Sequence, residues 1–128
     1  MSIIGIGSDI VSLARIKKIW ERYQEAFPRR ILNKAELEHF SKARCKVAFL
    51  AKRYAAKEAT AKALGTGFRP GGVLLTDIAV QNDSLGRPYL ELSGGAQAEW
   101  QKRSVVSSHL TLSDEKEFAL AFVVLVGE

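Results

Sequence analysis

Lys46 to Leu64 reads KVAFLAKRYAAKEATAKAL, and the fold turns on this run. Its alanine, lysine and leucine are strong helix formers. Gly65, directly after it, is placed to end the helix as a left-handed cap residue. On a helical wheel Glu58 shares a sector with Val47, Ala51 and Tyr54. A glutamate in an apolar sector costs free energy unless it is paired or binds a cation. Two readings stay open, an ion pair with Lys62 one turn on or a functional carboxylate. Lys57, Glu58 and Lys62 combine acid and base within about one turn. With a second carboxylate alongside, two oxygen ligands suit Mg²⁺, which keeps waters and completes its shell with substrate phosphates. The lysines then neutralise phosphate charge, and the glycines of Gly65-Thr66-Gly67 let backbone N–H groups approach an anion.

Towards the N-terminus, Ser2 to Val11 (SIIGIGSDIV) is β-branched and glycine-punctuated and predicts a strand ending near Asp9. Asp9, where strand gives way to helix, reads as a turn or cap residue or as a functional carboxylate. From Ser12, a fair N-cap, Leu13, Ile16, Ile19 and Trp20 recur at helical spacing. Arg15, Lys18 and Arg22 share another face of that helix. Pro28 is expected to break the run. Asn33, with Glu36 three residues on, has capping-box spacing. Beyond the long helix, Gly65 to Gly72 is a loop. Two hairpins follow: Leu74 to Val80 with Pro88 to Leu92 around NDSLGR, and His109 to Ser113 with Phe118 to Val126 around DEKE. Gly94 to Arg103 between them suits a short helix. No repeat or linker appears, so residues 1–128 read as one α+β domain with antiparallel sheet.

The 128 residues suffice for one core. No apolar run approaches the roughly 20 residues of a membrane span. The N-terminus lacks a basic n-region and a small-residue cleavage site, and the lone Cys45 permits neither an intrachain disulfide nor a cysteine metal cluster. A reducing, cytoplasmic setting is therefore expected. The net charge of +5 favours acidic partners (nucleic acid, a phosphate-bearing small molecule or an acidic protein), or serves solubility alone. In GIGSDI the third glycine of a dinucleotide fingerprint would fall at Ile10, so the fingerprint fails, and there is no P-loop. His39 and His109 lie far apart without metal-ligand spacing. Phe49, Tyr54, Phe68, Phe118 and Phe122 read as core or interface rather than as a base-stacking platform. A basic nucleic-acid-binding domain would use the charge, but no RNP-like or helix-turn-helix signature is present. A non-enzymatic interaction module would leave Asp9 and Glu58 unexplained.

Three segments, in order, resemble the holo-acyl-carrier-protein synthase family of phosphopantetheinyl transferases. They are GIGSDIVSLARI (Gly5 to Ile16), FLAKRYAAKEATAKALGTG (Phe49 to Gly67) and HLTLSDEKEFALAFVV (His109 to Val124), with NDSLGRPYLEL (Asn82 to Leu92) fitting the family's G-x-P hairpin. The resemblance implies the family's fold, an antiparallel sheet with a long signature helix. It implies transfer of 4′-phosphopantetheine from coenzyme A to a serine of acyl carrier protein, with release of adenosine 3′,5′-bisphosphate. It implies that Asp9 and Glu58 bind Mg²⁺ at the coenzyme A pyrophosphate. Lys62 matches the lysine that holds and neutralises the phosphates, with Lys57 a second candidate. Gly65 would approach the nucleotide, Arg53 with Arg44 and Lys46 would meet the 3′-phosphate, and Arg15 would face acyl carrier protein.

The family's pattern also implies a homotrimer with active sites between subunits. The apolar closing strand FALAFVVLV, consistent with burial on both faces, suits that assembly and equally a buried strand of a monomer. In one respect this sequence departs from some relatives, since Asp114 stands where they carry a second histidine in H-x-[ST]-x-[ST]-H. The mechanism implied is metal-assisted substitution at phosphorus. The serine proton leaves through Glu58 or through a water, and the residues do not distinguish these routes.

Overall fold

The computed structural model describes residues 1–128. The elements run β1 (Ser2–Ser12), α1 (Leu13–Tyr23), α2 (Ala26–Ile31), α3 (Lys34–Lys42), α4 (Lys46–Leu64), β2 (Ile78–Asn82), β3 (Pro88–Leu92), α5 (Gly94–Lys102), β4 (Val105–Asp114) and β5 (Phe118–Gly127). One antiparallel sheet has the order β1-β5-β4, and β2-β3 form a separate hairpin. The architecture is the expected α+β. No helix is long and apolar enough to cross a membrane.

The helix α4 lies across β1 and β5. Ala51, Ala55, Ala56 and Ala59 are fully buried in the main core beside Leu50, Val123 and Leu125. Small side chains let the helix lie close to the strand, and glycine completes the fit. A Cβ at Gly5 would stand 2.0 Å from the Ala63 carbonyl oxygen, and one at Gly7 would stand 1.9 Å from that of Ala59. The two glycines of GIG are one strand repeat apart, and the two alanines are one helical turn apart. The glycine pattern that fails as a nucleotide fingerprint is therefore a strand–helix contact. The helix ends as expected at Gly65, whose φ is 77°.

Other local signals resolve with identifiable corrections. Ser12 caps α1 by accepting from the Arg15 N–H, and the Asn33–Glu36 capping box forms in both directions. Pro28 does not break α1. That helix ends earlier, at Gln24 with φ 52°, while Pro28 sits in the first turn of α2. There its missing N–H costs nothing, because first-turn donors have no partner within the helix. The first hairpin begins at Ile78 rather than Leu74, because Leu75–Asp77 form a 3₁₀ turn closed by the Asp77 carboxylate on the Leu74 N–H. β4 starts at Val105, earlier than His109, since Val105 to Ser108 pair with the far end of β5.

The closing strand does not behave as a strand buried on both faces of a monomer. Ala119, Ala121 and Val123 are buried, but Phe118, Leu120 and Phe122 are 45%, 44% and 41% exposed. Ile10 pairs with Leu120, and Ile6 and Ile10 are also exposed. Within one chain the first half of β5 is thus buried on one face only, with its other face a bare apolar surface continuous with β1, while Val124 is half-buried and Val126 buried further along.

Candidate active site

Asp9 follows Gly5 and Gly7 on the helix-facing side of β1. The close approach at Gly7 draws α4 against this strand, and Lys62 reaches over it. The Lys62 ammonium donates to the Ser8 carbonyl at 2.9 Å and to Asp9 Oδ1 at 3.2 Å. The alternative of a Glu58–Lys62 pair is not what forms. Lys62 pairs with Asp9, and Glu58 makes no salt bridge. Asp9, Glu58 and Arg15 line one cleft of about 450 Å³ together with Ser12, Tyr54 and Phe118. Burial pushes the Tyr54 phenol above its ordinary range. The charge and hydrogen bonding of Glu58, then the charge of Asp9, add to the shift, while Arg15 opposes it.

This constellation leaves Asp9 Oδ2 and both Glu58 oxygens without an ion pair at one cleft. No group of three His, Cys, Asp or Glu side chains forms a protein-made metal cage. Asp9 and Glu58 are the residues of this cleft that could hold a hard cation that takes few protein oxygens and fills its shell with water and substrate oxygen.

Three sequence candidates take different places. Lys57 does not face the cleft and is corrected here. It is 0% exposed, and its ammonium donates to Glu36 Oε1 at 2.8 Å, to the Leu75 carbonyl at 3.1 Å and to the Ile78 carbonyl. Burial lowers its pKa, with Glu36 opposing the shift. The neighbouring residue Glu58 points elsewhere because adjacent helical residues diverge by about 100°. Lys46 is spent on the carbonyls of Phe40, Ser41 and Ala43, where it closes the end of α3. Gly65 already bonds the Lys62 carbonyl through its N–H, although nothing lies within 4 Å of its open Cα side.

Arg53 is buried on the other flank of α4 from Glu58, 3.6 Å from Glu36 and stacked on Phe49. It does not line the cleft. Arg44 is exposed just before α4. Asp114 pairs with Lys52 at 3.5 Å. Two residues of consequence carry no functional signal in the sequence. Tyr54 shares the Glu58 sector in the sequence but reads there as a core or interface aromatic. Glu36 carried only its capping signal.

A carboxylate from a strand and a carboxylate from a helix line one open cleft, and Lys62, which lines the adjoining hollow, pairs with the strand carboxylate. Such a donor set could meet a phosphate-bearing substrate. A model of the 4′-phosphopantetheinyl transferase superfamily matches residues 5–123, and the chain belongs to this family. It is 48% identical over 125 residues to the holo-[acyl-carrier-protein] synthase of Photorhabdus laumondii, covering 98% of each chain. It is 50% identical over 123 residues to that of Dechloromonas aromatica, covering 96% of this chain and 97% of that one. Among solved structures, the Neisseria meningitidis holo-[acyl-carrier-protein] synthase superposes with TM-score 0.92 at 42% identity, covering 98% of this chain and 99% of that one. The Bacillus anthracis synthase, in complex with CoA (3′,5′-ADP), superposes with TM-score 0.80 at 38% identity, covering 98% of both.

Proposed function

We propose that this protein transfers 4′-phosphopantetheine from coenzyme A to a serine of apo-acyl carrier protein, releasing adenosine 3′,5′-bisphosphate and giving holo-acyl carrier protein for fatty acid synthesis. The observation that carries this reading is that Asp9 and Glu58 share one cleft and Lys62 pairs with Asp9 at its edge, in a chain similar over nearly its whole length to synthases of this activity. The test is mass spectrometry of apo-acyl carrier protein incubated with the protein, coenzyme A and Mg²⁺. A gain of one phosphopantetheine is expected, and no gain sinks the reading.

Asp9 and Glu58 are the residues that would hold Mg²⁺, which supplies charge neutralisation at the pyrophosphate. Lys62 places its ammonium beside the same phosphates and stabilises charge that develops on them. The serine oxygen forms the new P–O bond. The bond to the departing adenosine bisphosphate breaks, and the serine proton goes to Glu58 or to water. Lys62→Ala is expected to lower turnover by about 10²-fold, the scale of one lost electrostatic donor. Steady-state rates with coenzyme A saturating check this. Wild-type turnover in the variant would leave Lys62 a surface partner of Asp9.

Arg15, Lys18 and Arg22 lie exposed along α1, and Arg15 also walls the cleft. This basic edge is assigned to the acidic carrier protein. Arg15→Glu should raise carrier-protein KM several-fold at low salt, with the gap narrowing as salt rises. An unchanged KM at low salt removes Arg15 from the docking surface.

The bare sheet face supports a homotrimer. Phe118 belongs to this face and to the wall of the cleft, and Phe122 with Ile6 walls the hollow around Lys62. A copy seated on the face would therefore close the site, and Arg53 would meet coenzyme A bound on an adjacent copy. Sedimentation equilibrium at assay concentration should give a trimer mass. A fully active monomer rejects the assembly. A cytoplasmic setting fits these substrates.

A further inference from the structure

The sequence shows Glu36 only as the third residue of a capping box, but its carboxylate is fully buried and serves four partners. Oε1 accepts from the Asn33 N–H at 3.0 Å and from Lys57 Nζ at 2.8 Å, while Oε2 accepts from the Val80 N–H at 3.0 Å and lies 3.6 Å from Arg53 Nε. One carboxylate thus faces two cations. Lys57 is saturated, because its three donors meet Glu36 and two backbone carbonyls. Arg53 is not. It is 6% exposed and offers five donors, but it makes one hydrogen bond, from Nη2 to Asn82 Oδ1 at 3.4 Å, and its buried Nε has no hydrogen-bond partner. Buried donors are normally paired, and a charge in excess inside a protein is costly unless an anion meets it. Asn82 beside it is exposed, so the guanidinium stands at the edge of solvent.

We propose that Glu36 is a positioning residue for the nucleotide end of coenzyme A. Its carboxylate, pinned by Asn33, Lys57 and Val80, holds Arg53 by charge without consuming the donors of the guanidinium fork. The fork stays free for the 3′-phosphate, a planar donor set suited to phosphate oxygens. Glu36 reaches no substrate itself and acts through Arg53. In this arrangement Lys57 is an internal anchor for Glu36 rather than a phosphate ligand. The inference rests on the reading that Arg53 meets the 3′-phosphate.

The test compares kcat/KM for coenzyme A and for 3′-dephospho-coenzyme A in wild type, Arg53→Ala, Glu36→Gln and Glu36→Asp. The readout is the ratio of the two values, in which the folded fraction of each variant cancels. Arg53→Ala should lower the wild-type preference for coenzyme A by about tenfold, one lost charged contact. Glu36→Gln keeps the shape and removes the charge, and should lower the preference about fivefold through the coenzyme A KM. Glu36→Asp keeps the charge but withdraws it from Arg53, and should lower the preference about threefold. If Glu36→Gln does not fold, Glu36→Asp decides. A preference lost in Arg53→Ala but intact in the folded Glu36 variants overturns the role of Glu36. A preference intact in Arg53→Ala overturns the assignment of Arg53 and the inference with it.

Discussion

Asp9→Ala and Glu58→Ala each leave a folded protein whose phosphopantetheine transfer falls by roughly 10²–10³-fold, the scale of a lost electrostatic contributor at a reacting phosphate. Both carboxylates line the cleft, and neither belongs to the buried Glu36 network, so their loss touches no core contact. Asp9→Ala also removes the partner of Lys62, leaving that ammonium only the Ser8 carbonyl. The two losses should not add in the double variant, because residues that act as one unit fail together. Wild-type transfer should stop with a chelator and return with Mg²⁺. A binding measurement separates a metal role from proton transfer. Titration with Mn²⁺, followed by its electron paramagnetic resonance without substrate, should show affinity weakened at least about tenfold in either variant. Full turnover in chelator, or Mn²⁺ affinity unchanged in both variants, rejects the pair as metal ligands.

How much of this was legible beforehand depends on range. The α4 boundaries, the Ser12 cap, the Asn33–Glu36 box and the left-handed end at Gly65 all follow from signals within a few residues, and all form. Pro28 misled because a proline is a breaker only relative to its place in a helix, and the actual break lies at Gln24. The site was half legible. Glu58 in an apolar sector marked itself as costly, and resemblance supplied Asp9. The partner of Lys62 could not be read, since it lies 53 residues away across a strand–helix contact. Lys57 and Glu58 look equivalent in sequence, but one turns towards Glu36, 21 residues earlier, and the other towards the cleft. Long-range pairing of that kind leaves no local periodicity to detect. Likewise, the apolar run of β5 is consistent with burial on both faces in a monomer or in an assembly, and one chain leaves Phe118, Leu120 and Phe122 of its first half uncovered.

The contact that brings the site together also makes the largest stability prediction. Gly7→Ala should destabilise the fold by about 3 kcal/mol or more, at the upper end of overpacking costs. The added Cβ would lie 1.9 Å from the Ala59 carbonyl oxygen and 2.9 Å from the Ala63 nitrogen, both backbone atoms in the C-terminal turns of α4. No side chain can rotate away, so relief requires α4 to lift from β1. That movement carries Glu58 and Lys62 away from Asp9, and any folded fraction should transfer poorly. Urea unfolding of wild type and Gly7→Ala measures the loss. Gly65→Ala is the control. Its φ of 77° penalises a side chain by about 1 kcal/mol, but nothing lies within 4 Å of the new carbon. Gly7→Ala should therefore cost clearly more than Gly65→Ala. Adding Ala59→Gly to Gly7→Ala should give no rescue, because the obstacle is the Ala59 carbonyl and not its methyl group. It should instead lose about a further 1 kcal/mol of helix propensity. Recovery of stability in that double variant, or a Gly7→Ala loss no larger than that of Gly65→Ala, would mean that α4 and β1 do not meet backbone to backbone, and that something other than this contact holds Lys62 against Asp9.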